Sequence, residues 1–384
     1  MDSWFDFDKR IFKHFSYLLV LQLIPLFVIS SYLVNEINHH LFVKQMVYYT
    51  IAGIAFFITM FIPWRHIIWW FVPLFYIGNL GLLLAVEVIG KSILGARRWI
   101  ELPGIGVTIQ PSEFIKVSVI MMLGYLMSIN PPPAKGYGLL HFIKLSIVII
   151  IPFLLIAKEP DLGTALVLLI TGYGVLFVAG INWKIWVSIF AILALSAPLL
   201  YGQLKPYQKK RVSDFVGKPS YHVRQALIAI GSGGLEGQSK EDATQTQLKF
   251  LPVSSTDFIF AYLGERFGFK GMLLVIGLYI LIILNLLYIS SKYAEDYLVK
   301  AFSSGLAFLI FVYMGVNIYM VIGLAPVVGL PLPLFSHGGT SFIIFAVIFG
   351  ILQNLIVFKD YSRYNTVSKV SMISKSLSNR LKGR

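Results

Sequence analysis

The chain has 384 residues, of which 57% are hydrophobic and only 13% charged, and its formal net charge is +14. Soluble domains carry roughly a quarter charged residues, so this composition excludes a soluble globular protein and reads as an all-α polytopic membrane protein. The cations are not interleaved with stacking aromatics as a nucleic-acid groove requires, and they suit membrane lipids and anionic lipid-linked ligands instead. Cysteine is absent, which excludes disulfides, thiol nucleophiles and cysteine metal sites.

The first residues, MDSWFDFDKRIFKHF, are amphipathic and mixed in charge. No small-residue cleavage site closes the apolar run behind them, so they do not read as a cleavable signal. A span needs about 20 mostly apolar residues. Segments that meet this lie near 14–34, 45–62, 66–88, 113–129, 139–157, 163–181, 183–201, 271–290, 301–322 and 340–358. The expectation is one integral-membrane domain over 1–384, with ten spans forming a core at 14–358. A long loop covers 202–270 and a basic tail covers 359–384. An even number of spans puts both termini on one side. With the termini inside, sixteen lysines and arginines flank the spans on that side and six occupy the short outer loops. The positive-inside bias therefore favours cytoplasmic termini and an outer long loop, whose own cations are too far from the spans to count.

Three outer regions carry unusual chemistry. In the first, GARRWI (Gly95 to Ile100) sets Arg97 and Arg98 beside Trp99, and IQPSEFIK (Ile109 to Lys116) spaces Glu113 and Lys116 at i, i+3 on one helix face. A lone charge at the bilayer centre costs on the order of 3 kcal/mol, so these two are expected to pair, whether as a structural bridge or as part of a site. In the second, KEPDLGTA (Lys158 to Ala165) places Glu159 and Asp161 around Pro160 at a helix start. Helix capping accounts for one carboxylate. The pair also fits a divalent cation, Mg²⁺ or Mn²⁺, held jointly with substrate phosphate.

The third region is the long loop. It runs from a basic amphipathic stretch, Leu204 to Val216, suited to the membrane surface, through a glycine-rich turn, Gly231 to Gly237, that reads as flexible chain. It ends in FLPVSSTDFIFAYLGERFGFKG, Phe250 to Gly271. There Asp257 stands where polar loop becomes apolar helix. Two readings fit it: a helix N-cap, or a functional carboxylate of the kind that intramembrane acids usually are. Glu265 lies eight residues on, so a helix could turn it towards the same cavity; Arg266 beside it equally suits a surface ion pair. After the ninth span, GLAPVVGLPLPLFSHGGTS (Gly323 to Ser341) forces non-helical backbone at membrane depth, tolerated only against protein or a wet cavity. His337 belongs to this stretch.

Taken together, GARRWI, IQPSEFIK, KEPDLGTALV, YQKKRV, QALIAIGSGG, TQTQLKFLP, TDFIFAYLGERFG and PLPLFSHGGTS resemble the SEDS family of bacterial membrane glycosyltransferases, in family order across nearly the whole core. PVVGLPLPL resembles the elongation branch more than its division paralogue. The resemblance implies a peptidoglycan polymerase acting on lipid II at the outer face of the cytoplasmic (inner) membrane. It implies that Asp257 matches the family's essential loop aspartate, and that a single-pass class B penicillin-binding transpeptidase is the partner. The small-residue face at Gly172 and Gly174 offers such a partner a place to dock. The chain departs from the family with Val253 to Ser255 where a Glu and a His usually precede TDF. It also has SHGG for SYGG, and LEGQ where a lysine-containing turn is usual.

The residues support the same chemistry. Glycosyl transfer from a lipid diphosphate needs one base for the acceptor hydroxyl, assigned here to Asp257. It needs cations for the departing diphosphate, assigned to Arg98, Lys116 or a metal near Glu159 and Asp161. Arg98, Glu113, Lys116, Asp161, Glu265 and His337 are the candidate substrate-binding residues. Direct displacement inverts the anomeric carbon and requires no carboxylate nucleophile. A lipid-precursor flippase would share the broken segments and intramembrane charges, but the chain has no repeat symmetry and its charges gather at one face. A non-catalytic scaffold would leave those charges without a purpose. The topology is tested by Ser374→Cys in this cysteine-free chain, which should resist an impermeant thiol reagent in intact cells; labelling there would reverse the orientation.

Overall fold

The structure is a computed structural model that describes residues 14–93, 96–101, 108–159, 161–202, 209, 220–248, 250–251 and 253–359. Leu204 to Val216, Pro160 and the tail from 360 lie outside those residues, apart from Lys209. Helices α1 (Tyr17–Ile37), α2 (His39–Phe61) and α3 (Trp64–Ile89) lead into three short strands, β1 (Lys91–Ile93), β2 (Ala96–Glu101) and β3 (Thr108–Ile109). Helices α4 (Pro111–Ile129), α5 (Leu139–Lys158), α6 (Leu162–Ala179) and α7 (Trp183–Gly202) follow. In the long loop lie α8 (Tyr221–Gly233) and a single turn, α9 (Thr244–Gln247). The chain closes with α10 (Ile259–Lys292), α11 (Tyr297–Val321) and α12 (Gly339–Lys359).

Among the described residues nine helices are long and apolar enough to cross a membrane. The tenth expected span is α7, whose apolar window, Trp183–Ser196, is shorter. The strands form an antiparallel sheet in the order β1-β2-β3. The motifs of this outer region gave no sign of it, because strands this short carry no clear alternation. Helix α2 begins six residues before the expected start because the Asn38 side chain accepts from the His40 amide and caps it.

Helix α11 is the interior of the bundle and packs against α4, α6, α8 and α10. Small residues allow this. A Cβ on Gly305 would stand 2.8 Å from Ile120 of α4, and one on Gly174 would meet the Phe308 ring at 2.4 Å. Gly172 is likewise filled by Ile149 of α5. The small-residue face expected to receive a partner is therefore consumed inside the protein. At the end of the bundle opposite the long loop, Arg65 bonds Asp296 at 2.7 Å and the Leu355 carbonyl at 2.7 Å, joining α3, α11 and α12. Asp296 also caps α11 by accepting from the Val299 amide.

The eighth span differs most from expectation. Helix α10 starts twelve residues earlier than the apolar run and is broken at Gly268, with φ 61° and ψ −163°, a conformation open essentially to glycine alone. The break frees backbone groups that the glycine-rich turn takes up. The Gln238 amide donates to the Glu265 carbonyl at 2.9 Å, and the Phe269 amide to the Gly234 carbonyl at 2.9 Å. A Cβ on Gly237 would stand 2.3 Å from the Arg266 carbonyl oxygen. The turn read as flexible is thus a tightly docked cradle, and its glycines serve close backbone approach. Gly268→Ala should cost about 1–3 kcal/mol from backbone strain alone, seen as a lower melting temperature in detergent; an unchanged melt would mean that the kink is not required.

Candidate active site

The segment before α10 folds back on itself. Val253 adopts φ 54°, an outlier for a β-branched residue, and its carbonyl accepts from the amides of Thr256 at 3.1 Å and Phe258 at 3.3 Å. This turn delivers Asp257 to the top of the bundle. The helix it precedes is capped at Phe258 without any side-chain hydrogen bond, so the N-cap reading of Asp257 is overturned. Burial instead raises the Asp257 carboxyl above its ordinary range, partly opposed by a hydrogen bond to Thr256.

The first half of α10 is clamped on three sides. Arg266 makes a two-pronged pair with Glu36 of α1, Nε to Oε2 and Nη2 to Oε1, both at 2.8 Å. Tyr262 donates to the same carboxylate at 2.9 Å, and Arg266 also reaches the Gln238 carbonyl. Glu265 is fully buried, and its two oxygens accept from the Gln245 amide at 2.8 Å and the Thr246 hydroxyl at 2.7 Å. Neither expectation for these residues holds. Glu265 faces α9, with its oxygens already committed, and Arg266 pairs with Glu36 in the interior.

A second group gathers at the starts of α4 and α6. Asp161 is the N-cap of α6, accepting from the Thr164 amide at 3.3 Å. It also accepts from Gln110 Nε2 at 3.3 Å and pairs with Arg98 Nη1 at 3.5 Å. Gln110 caps α4, one turn before Glu113. Glu113 and Lys116 pair at 2.6 Å as their spacing predicted, and Lys116 is 2% exposed. The unforeseen member is Tyr313 of α11, whose hydroxyl bonds Lys116 and lies 3.2 Å from Glu113 Oε1. Tyr313 and Asn317 are one helical turn apart on α11, and Asn317 donates to the Asp257 carbonyl at 2.8 Å. Ion pairs and hydrogen bonds therefore link Arg98, Asp161, Gln110, Glu113, Lys116 and Tyr313, and the α11 backbone alone joins Tyr313 to Asn317 beside Asp257. Tyr313 and Asn317 sit in an apolar run with no local motif, and only the packing of α11 reveals them.

Glu159 follows α5, and both of its carboxylate oxygens are buried without a hydrogen-bond partner among the described residues. Burial first, and Asp161 second, push its carboxyl up to about 8. Among the described residues no three metal-ligating side chains cluster. Glu159, with no partner on either oxygen among the described residues, is the carboxylate left to hold a cation, and Asp161 would share it only by giving up Gln110 or Arg98. His337 donates its amide to the Ser255 carbonyl at 2.9 Å, and its ring lies 6.4 Å from that of Tyr48. Burial, then Lys44, lowers the pKa of its imidazole.

Comparison with known proteins follows this geometry. The peptidoglycan glycosyltransferase MrdB of Helicobacter pylori strain 26695 is 49% identical over 361 residues, 94% of each chain. MrdB of Escherichia coli K12 is 40% identical over 74% of this chain and 77% of its own. A probable peptidoglycan glycosyltransferase FtsW of Tolumonas auensis is 32% identical over 81% of each. Among solved structures, a chain from a peptidoglycan synthase complex that coordinates polymerization and crosslinking matches at TM-score 0.77 and 25% identity, covering 90% of this chain and 98% of its own. The rod shape determining protein RodA of Thermus thermophilus matches at TM-score 0.67 and 25% identity, covering 90% and 97%. Residues 8–361 match the FtsW/RodA/SpoVE cell cycle protein model, and the chain belongs to that family.

Proposed function

We propose that this chain polymerises peptidoglycan glycan strands from lipid II, with Asp257 as the base. It is a peptidoglycan glycosyltransferase of the elongation type, closer in sequence to the MrdB relatives, at 49% and 40%, than to FtsW, at 32%. A flippase is disfavoured by the names of these relatives and by the collection of polar groups at one end of the bundle. The observation that carries the mechanism is a half-buried Asp257 carboxyl with raised proton affinity and no capping duty, on a turn closed by its own backbone hydrogen bonds.

In this reading the acceptor sugar hydroxyl gives its proton to Asp257, and its oxygen attacks the anomeric carbon of the donor. The glycosidic bond to diphosphate breaks, undecaprenyl diphosphate leaves with the bonding electrons, and the anomeric centre inverts. Arg98, about a quarter exposed, is the accessible cation for the diphosphate. Lys116 is committed to Glu113 and Tyr313, and it reaches a phosphate only by exchanging them. A divalent cation held by Glu159 and Asp161 would neutralise the leaving diphosphate. The protein resides in the bacterial inner membrane with cytoplasmic termini, its long loop outside, and a class B penicillin-binding transpeptidase as partner. The charge bias and the likeness to a synthase complex support this.

Asp257→Asn should fold and bind lipid II but polymerise about 10²–10⁴-fold more slowly, the usual cost of losing a positioned base. The base works ionised, so the wild-type rate should rise with pH through the raised Asp257 value, above the ordinary aspartate value of about 3.9. A folded Asp257→Asn protein with wild-type rate would sink the assignment. For the cation, Mg²⁺ should raise the melting temperature of wild type and not of Glu159→Gln. An unchanged melt, with activity intact under chelation, would leave Arg98 sufficient by itself.

A further inference from the structure

Asn317 is fully buried on α11. Its amide donates one hydrogen to the Asp257 carbonyl at 2.8 Å and the other to the Leu330 carbonyl at 2.7 Å. Two carbonyl acceptors settle which way the amide points, because only its NH₂ end can serve both. One side chain thus ties the turn before α10 to the irregular segment between α11 and α12. The tie extends to the carboxylate. Gly329, next to Leu330, has φ 69°, and a Cβ there would stand 3.5 Å from Asp257 Oδ2. Fixing Leu330 therefore fixes the wall beside the carboxyl group.

Ser336 adds a second tie. Its hydroxyl donates to the Thr256 carbonyl at 2.6 Å and accepts from the Leu332 amide at 2.8 Å. With the His337 amide on Ser255, three successive carbonyls, those of Ser255, Thr256 and Asp257, are each held from α11 or the segment behind it. We propose that Asn317 and Ser336 are the positioning residues of the catalytic turn, setting both the backbone from which the Asp257 carboxylate projects and the wall against which it lies. The inference rests on Asp257 acting as the base.

The test uses the full chain, purified and supplied with lipid II. Asn317→Leu keeps roughly the size of the side chain, removes both donors and adds no charge. Ser336→Ala removes the hydroxyl, and Ser336→Thr restores it. A misplacement of 1 Å can cost on the order of 10²-fold, so kcat in Asn317→Leu should fall at least about tenfold. A loss confined to the transition state leaves KM within about twofold. A loosened wall admits water to the carboxylate, so the acid limb of kcat should move to lower pH. The titratable side chains set against the neighbours of Asp257 are His337, through Ser255, and His222, stacked on Phe258 with centroids 6.0 Å apart.

Ser336→Ala should change in the same direction and Ser336→Thr should recover. If Asn317→Leu does not fold, the Ser336 pair decides. Wild-type kcat with an unmoved acid limb in the folded variants would overturn the proposal, as would a fall in rate with the limb unmoved. Asp257→Asn separates the two ideas. If it is active, the base assignment fails whatever the bracket variants do. If it is inactive while they run at wild-type rate, only the bracket fails.

Discussion

Backbone at membrane depth has no water to bond, so every non-helical amide and carbonyl must find a partner inside the protein. The segment between α11 and α12 meets this constraint with side chains from several helices. Ser30 of α1 donates to the Phe335 carbonyl, Tyr279 of α10 to Pro333 at 2.6 Å, and Asn317 of α11 to Leu330 at 2.7 Å. Gln45 of α2 supports Ser30 in turn at 2.8 Å. Buried polar side chains from four helices are thus committed to this one irregular stretch. Because the same stretch holds the turn around Asp257, satisfying the backbone and building the site are a single task.

The break in α10 poses the same problem near the end of the long loop. A helix interrupted at Gly268 exposes groups that the docked glycine turn takes up, and the short helix before the break then needs to be oriented. Arg266 and Glu36 supply that orientation. A planar guanidinium matched to a carboxylate by two hydrogen bonds fixes direction as well as distance. Buried pairs of this kind are weak contributors to net stability but severe when one partner is lost. Their value here is geometric, since they hold α10 against α1 while Glu265 anchors α9 from the opposite flank. Lys270 with Glu236 and Lys158 with Glu87 are exposed pairs and contribute little.

Charge is distributed with similar economy. Lys116, 2% exposed, is neutralised by Glu113 and capped by Tyr313, so its burial leaves no unpaired ion. Glu159 is the contrast: a buried carboxyl with neither oxygen bonded, beside the Arg98–Asp161 pair. Among the described residues it is the buried carboxylate with both oxygens unpartnered, whereas Lys116 and Arg266 are each paired. It lies at the same end of the bundle as the turn around Asp257.

Hydropathy alone determined the membrane class, nearly all the spans and the position of the long loop, because burying about 20 apolar residues in lipid is a local property of the chain. The motifs singled out Asp257, and the i, i+3 spacing of Glu113 and Lys116 was enough to pair them. Tertiary structure decided everything that depends on what a residue faces. Sequence could not distinguish Asp257 as cap from Asp257 as free carboxylate, since both need the same residue before an apolar run. It could not place Glu265 against α9, or show that Arg266 chooses Glu36, some 230 residues away, over its neighbour. It read the glycine turn as slack, because close backbone approach and flexibility call for the same residue. Tyr313 and Asn317 were invisible, because a polar residue within an apolar span has no meaning until the opposing helix and loop are packed against it.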